Sequence, residues 1–187
     1  MAGEGWGEPW VFPLPWPPLA DPRHQIALRP WGAGEHDAAA LARAWADPEV
    51  ARHTSVPHDA TEEAARRWIR GEEERRAKGL AIDLVVTSVD RPAEIVGEVG
   101  LIVVEPDEQW AELGYWLFPD ARGRGAMASA VGLFADWVLR ELPVRRLFAR
   151  THPDNERAGK VAAAAGLAHA GTLDTGTLVW IRDRPGR

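Results

Sequence analysis

The 187-residue chain contains no cysteine, which excludes disulfide frameworks, thiolate metal sites and cysteine nucleophiles together. It also lacks any run of about eighteen consecutive apolar residues, the length a membrane-spanning helix needs. No cationic start followed by an unbroken apolar stretch marks a secretory signal, so a cytoplasmic location is the expectation. Two catalytic signatures are missing. There is no G-x-x-x-x-G-K-[ST] phosphate loop, and His53 and His58 have no accompanying pattern such as H-E-x-x-H, so no metal is expected. A basic excess is absent as well. With 22 Lys+Arg against 28 Asp+Glu the net charge is −6, which argues against wholesale binding to nucleic acid or to an anionic membrane.

What the chain has in quantity is tryptophan, ten residues against one tyrosine and four phenylalanines. Trp6, Trp10 and Trp16 fall within residues 1–23, interleaved with Pro9, Pro13, Pro15, Pro17, Pro18 and Pro22. Proline fixes φ and lacks an N–H, so this segment can be neither a helix nor an interior strand and reads as extended. Its composition fits a disordered leader. Indoles are costly to leave in water, however, and an arm packed on the body, or on the second subunit of a homodimer, fits equally. Pro15-Trp16-Pro17-Pro18 leaves open a third use, as a proline-rich ligand for a partner's aromatic groove. Residues 24–187 are long enough for one domain with a proper core.

Along that domain the pattern predicts a short strand over Gln25–Pro30, a helix over Ala38–Asp47 and a further helical piece opened by Asp47-Pro48-Glu49. Thr61 followed by Glu62 and Glu63 caps a longer helix that Gly79 ends. Strands are expected over Leu80–Val89, Glu94–Val104 and Trp110–Phe118. Met127, Ala130, Val131, Phe134 and Val138 recur at helical spacing and predict a buried-face helix ending near Glu141. Arg146–Thr151 is a strand, Asn155–Ala165 a helix closed by Gly166, and Thr177–Arg182 a last strand. The order is that of an α/β domain with one mixed sheet.

Chemistry concentrates where the third long strand meets the buried-face helix. There Arg122-Gly123-Arg124-Gly125 leads straight into Ala126 and Met127. Glycines let the backbone approach a ligand, and the first turn of a helix leaves amide N–H groups unpaired at its positive end. Such a turn cradles a pyrophosphate. Gly123-Arg-Gly125-Ala-Met-Ala128 formally matches the dinucleotide fingerprint G-x-G-x-x-G/A. That fingerprint belongs after a first strand, with an acid about twenty residues on, whereas the next strand here ends in Arg150-Thr151-His152.

Gly114-Tyr115-Trp116-Leu117, Pro119, Arg122-Gly123-Arg124-Gly125, Asn155, Ala158 and Ala165-Gly166-Leu167 together resemble the GCN5-related N-acetyltransferases, closest to the branch of ribosomal-protein N-terminal acetyltransferases. Upstream, Leu28-Arg29-Pro30-Trp31, Asp47-Pro48-Glu49-Val50 and Ile95-Val96-Gly97-Glu98 extend the resemblance to roughly Gln25–Arg182. It implies the acyl-CoA N-acyltransferase fold: a mostly antiparallel mixed sheet of about seven strands flanked by helices, with one strand pair splayed at the cofactor. It also implies acetyl-CoA as cofactor and acetyl transfer to a primary amine of a peptide or small molecule. A non-catalytic acyl-CoA-binding or sensing module is the alternative.

The family pattern assigns the pyrophosphate to the turn amides from Gly123 through Ala126 to Met127, helped by Arg122 and Arg124. It assigns the pantetheine chain to the backbone of Leu117 and Phe118, with an oxyanion donor near Leu117. Met127 departs from the family's small residue at its position. Asn155 resembles the asparagine that contacts the cofactor near its thiol, and it can also simply cap its helix. For the general base the first candidate is Glu112, which alternates with apolar neighbours on the strand entering the turn. Glu98 is the second and His152, an imidazole in a loop, the third. The family's tyrosine after the asparagine is missing, so water, Ser129 or the backbone would supply a proton to the thiolate; Tyr115 reads as packing. Trp45, His53, His58 and Trp68 lie where relatives build the acceptor wall.

Overall fold

A computed structural model describes residues 10–32, 34–54, 56–57 and 59–186. Trp6, Pro9 and His58 lie outside these. Strands β1 (Ala20–Asp21), β2 (Ile26–Pro30), β3 (Ala81–Ser88), β4 (Ile95–Glu105), β5 (Trp110–Leu117), β6 (Arg146–Thr151), β7 (Ala168–Thr172) and β8 (Leu178–Asp183) form one sheet in the order β1-β2-β3-β4-β5-β6-β8-β7. Every neighbouring pair is antiparallel except β5 and β6. Those two run parallel and pair only at Trp110↔Arg146, Ala111↔Leu147 and Glu112↔Phe148. Beyond Glu112 they diverge and leave a gap, which is the splayed pair expected from the family resemblance.

The resemblance implies about seven strands; among the described residues the sheet has eight, two more than the six read along the sequence. One addition is β1, which draws the end of the Trp/Pro segment into the sheet. The other is β7, whose sequence Ala-His-Ala-Gly-Thr gives no run of branched side chains and lies largely exposed at an edge. A bulge between His169 and Gly171 breaks its register with β8.

Helices α1 (Glu35–Ala46), α2 (Pro48–His53), α3 (Glu62–Arg70) and α4 (Glu72–Ala77) cover one face, and α5 (Ala126–Glu141) and α6 (Glu156–Ala164) the other. The single helix expected from Thr61 to Gly79 is two. Thr61 Oγ1 caps the first by accepting from Ala64, and Gly71, a poor helix former, lets the chain step there. Arg75 fills the step: its Nη1 lies 3.0 Å from where a Gly71 Cβ would sit and donates to the Trp68 carbonyl. The stripe Met127, Ala130, Val131, Phe134 and Val138 of α5 packs on Leu84, Val86, Val99 and Leu113. On the other face Leu41, Trp45 and Ile69 pack on Val85, Trp116 and Phe118.

The arm from Trp10 to Leu19 lies on this body. Phe12 is fully buried and its N–H donates to the Arg76 carbonyl, while Trp10 packs so closely on Gly79 that a methyl group there would collide with its main chain. Val11, Leu14 and Trp16 stay exposed.

A buried ion pair ties β2 to α1. Arg29 forks onto Asp37 (2.7 and 3.0 Å), and the Gly32 N–H donates to the same carboxylate at 2.7 Å. Burial alone would raise the Asp37 pKa, but the bonds from Arg29 and Gly32 outweigh it and hold the carboxyl below its ordinary value. Arg29→Ala leaves this charge buried without its partner and is expected to cost about 3 kcal/mol. Because the folded pKa is depressed, that contribution is present above the unfolded value and lost as pH falls through the folded one. Urea titrations should therefore show wild type and variant converging in acid.

Candidate active site

The strand β5 passes through a short 3₁₀ turn, Pro119–Ala121, into the glycine turn at the mouth of the gap. Gly123 (φ 82°) and Gly125 (φ 75°) adopt the left-handed conformation that side chains disfavour. Among the described residues nothing approaches within 4 Å of the place a Gly123 Cβ would occupy. The first turn of α5 carries no side-chain cap and no acid, so its amide donors remain available to an anion. Room, donors and helix polarity together fit a pyrophosphate.

The side chains around the turn divide the work. Arg124 is exposed beside it. Arg122 instead turns inward, donating Nε to the Leu117 carbonyl at 3.1 Å and pairing with Glu49 of α2. The bond and charge of Arg122 hold the Glu49 carboxyl below its ordinary value. Ala126 is buried, and Met127 is packed in the core with its methyl against Gly97, so its length does not crowd the turn.

The gap exposes backbone. The Phe118 N–H donates to Val96 of β4. Antiparallel ladders alternate, so Leu117, Tyr115 and Leu113 direct their N–H groups away from β4, toward the gap. Phe118 itself is buried, packed edge-on against Trp116 and under the Arg43 guanidinium at 3.7 Å. Asn155 caps α6, its Oδ1 accepting from Ala158 at 3.2 Å. Tyr115 does more than pack: its hydroxyl crosses from β5 to donate to the Ala158 carbonyl at 2.8 Å, and burial pushes its pKa up.

The three candidate bases stand apart. Glu112 closes the apex of the gap with both oxygens 2.8 Å from Arg150, and this pairing raises the arginine's pKa. Glu98 projects from β4 on the face that α1–α4 cover. Its oxygens accept from Trp31 Nε1 (2.8 Å) and Trp116 Nε1 (3.3 Å). Burial pushes the Glu98 pKa up, and the neighbouring Asp83 carboxyl adds to the shift. Asp83 on β3 faces Gly100, where a methyl group would strike Asp83 Oδ1, and its own pKa is raised, again chiefly by burial. Gly114, on the same face of β5, has none of the described residues within 4 Å of its Cβ position, so among them open space borders Glu98 and Trp116. His152 lies at the exposed lip, its ring 6.1 Å from that of His53, where Arg52 of α2 pairs with Asp154.

The acceptor wall expected from the sequence is only partly surface. Trp45 is buried edge-on against Trp68, and Trp68 carries the Arg75 guanidinium at 4.2 Å. Ser129 donates to Asp21 at 2.7 Å rather than facing the gap. Sequence reasoning missed Asp83 and Trp31. The signal for the first was present, a lone acid inside the apolar run Ala81-Ile-Asp-Leu-Val-Val86.

The family described as Acetyltransferase (GNAT) domain matches residues 25–168. The chain is 26% identical over 139 residues to an uncharacterized N-acetyltransferase p20 of Bacillus licheniformis, covering 73% of this chain and 76% of that one. It is 26% identical over 113 residues to the ribosomal-protein-serine acetyltransferase of Escherichia coli, covering 60% and 62%. The fold matches that of Mycobacterium smegmatis RimJ in complex with CoA-disulfide with a TM-score of 0.74 at 22% identity, over 90% of this chain and 88% of that one. The chain belongs to the GNAT acetyltransferase family.

Proposed function

We propose that the protein is an N-acetyltransferase that acetylates the α-amine of a peptide or protein. The observation that carries this is the gap between β5 and β6, with an uncapped helix N-terminus at one end and a half-buried carboxyl held by two indoles on its acceptor face. Acetyl-CoA supplies the acetyl thioester when bound. The amides from Gly123 to Met127, with Arg124, hold its pyrophosphate. Arg122 shapes the turn by fastening the end of β5 to α2. The backbone N–H groups of Leu117 and Tyr115 line the gap for the pantetheine chain, and that of Leu117 is the preset donor for a developing oxyanion. We assign the Asn155 side-chain amide to the thiol end of the cofactor.

Glu98 is the general base we assign. Proton acceptance at Glu112 competes with a two-pronged ion pair to Arg150, whereas the carboxyl of Glu98 has neutral donors and a pKa moved toward the working range. The base acts ionised, so kcat/KM rises with pH as Glu98 loses its proton, above the usual carboxylate range. Asp83 and Arg75 are the charged groups beside it, and Glu72 stands beside Asp83. Asp83→Asn removes a neighbouring carboxyl that raises this pKa and should move the rising limb to lower pH, whereas titration of the substrate amine stays in place.

The peptide acceptor rests on a relative in sequence, the ribosomal-protein-serine acetyltransferase of Escherichia coli. The test is a panel of peptides with free or blocked N-termini, lysine peptides and small amines, read by mass spectrometry. Acetylation of free N-termini alone is expected, and acetylation of small amines alone overturns the acceptor assignment. We place the activity in the cytoplasm. Val11, Leu14 and Trp16 are the face we assign to a homodimer, for which sedimentation should give the mass of two chains.

A further inference from the structure

The turn between β1 and β2 delivers a linked set of polar side chains to the glycine turn. His24 Nδ1 lies 2.6 Å from Asp21 Oδ2, and the same oxygen accepts from Ser129 Oγ, in the first turn of α5, at 2.7 Å. The Arg23 N–H donates to the other oxygen at 2.9 Å, and Gln25 closes the turn onto the Pro22 carbonyl. The bonds from His24 and Ser129 hold the Asp21 carboxyl far below its ordinary value, so it stays ionised and fixes the ring. The opposite edge of the imidazole lies against Gly125: Cδ2 and Nε2 are 3.1 and 3.2 Å from the place its Cβ would occupy. The His24 side chain is 42% exposed.

We propose that His24 is a ligand of the acyl-CoA pyrophosphate, contributed by the β1–β2 hairpin and oriented by Asp21 and Ser129. This rests on the acyl-CoA reading of the glycine turn given above. An uncapped helix end offers donors along its axis only, and a phosphate seated there keeps oxygens facing sideways. Nε2 stands at that side. With Nδ1–H donated to Asp21, Nε2 carries a hydrogen only in the imidazolium form, and an anion beside it is the partner that form requires. The charged group bonded to the ring is Asp21, and α5 presents Ser129 to the same carboxylate. The arm thereby gains a role, since its packing through Phe12 and Trp10 anchors the hairpin that carries the ligand.

The test is calorimetric titration of wild type, His24→Ala and His24→Lys with CoA and with dephospho-CoA, which keeps the pyrophosphate but lacks the 3′-phosphate. His24→Ala should weaken both ligands alike by about tenfold, the size of one charge-assisted hydrogen bond. His24→Lys should recover part of the loss. Undiminished binding of both ligands by His24→Ala overturns the assignment, and a loss confined to CoA overturns it in favour of the 3′-phosphate. A folded wild type that binds neither ligand sinks the acyl-CoA reading itself, and this assignment with it.

Discussion

Replacing Glu98 by glutamine should lower kcat by about two to three orders of magnitude, within the range a positioned general base contributes. The variant should fold, because burial already favours the neutral form of this side chain and glutamine is neutral at every pH. Its carbonyl can keep one of the two indole bonds from Trp31 and Trp116, at a cost of about 1 kcal/mol for the other. The sign of the stability change depends on pH. A carboxyl whose folded pKa is raised makes the fold lose stability as pH climbs from the unfolded value toward the folded one. Glu98→Gln removes that decline, so relative to wild type it should be least stable in acid and gain ground as pH climbs from the unfolded value to the folded one, about 8. Stopped assays of acetyl transfer read the rate, and urea titrations at two pH values read the stability. A kcat within a factor of about three of wild type would return the role of base to Glu112 or His152.

Gly125→Trp should abolish CoA binding while leaving a folded protein. The residue sits at φ 75°, so any side chain costs about 1–2 kcal/mol there, and the indole must also displace the His24 ring. That strain is confined to an exposed turn and does not reach the core packed around Val131 and Phe134. For wild type, CoA at a hundred times its dissociation constant adds about 2.7 kcal/mol to unfolding and raises the melting temperature. In the variant the melting temperature should not respond to CoA at all. A variant that melts as wild type does and still gains stability from CoA would place the cofactor away from this turn.

What could be read from the sequence was what the chain builds locally. The α5 stripe, the strand Arg146–Thr151 and the glycine turn between β5 and α5 each follow from neighbours within a few positions. The edge strand β7 did not show, because its pairing with β8 rather than its own residues makes it a strand. The break at Gly71 was missed for a similar reason, since Arg75 stabilises it from the following helix. The candidate site divides along the same line. The turn from Arg122 to Met127 is contiguous, so its glycines and the helix start behind it were legible, and the phosphate cradle we propose rests on them. The surroundings of Glu98 come from three elements: Asp83 across β3, Trp31 after β2 and Trp116 on β5. No spacing rule connects those positions. Arg150 opposite Glu112 and Arg122 on Glu49 are likewise pairings that only the folded sheet brings about.

The most direct single measurement is a calorimetric titration of CoA into the wild-type protein. Saturable binding at one site per chain is the expected result, with affinity lost at high salt as the phosphate contacts are screened. A folded protein that takes up no CoA would contradict the assignment of the β5–β6 gap and its glycine turn, and with it the acetyltransferase chemistry derived from them.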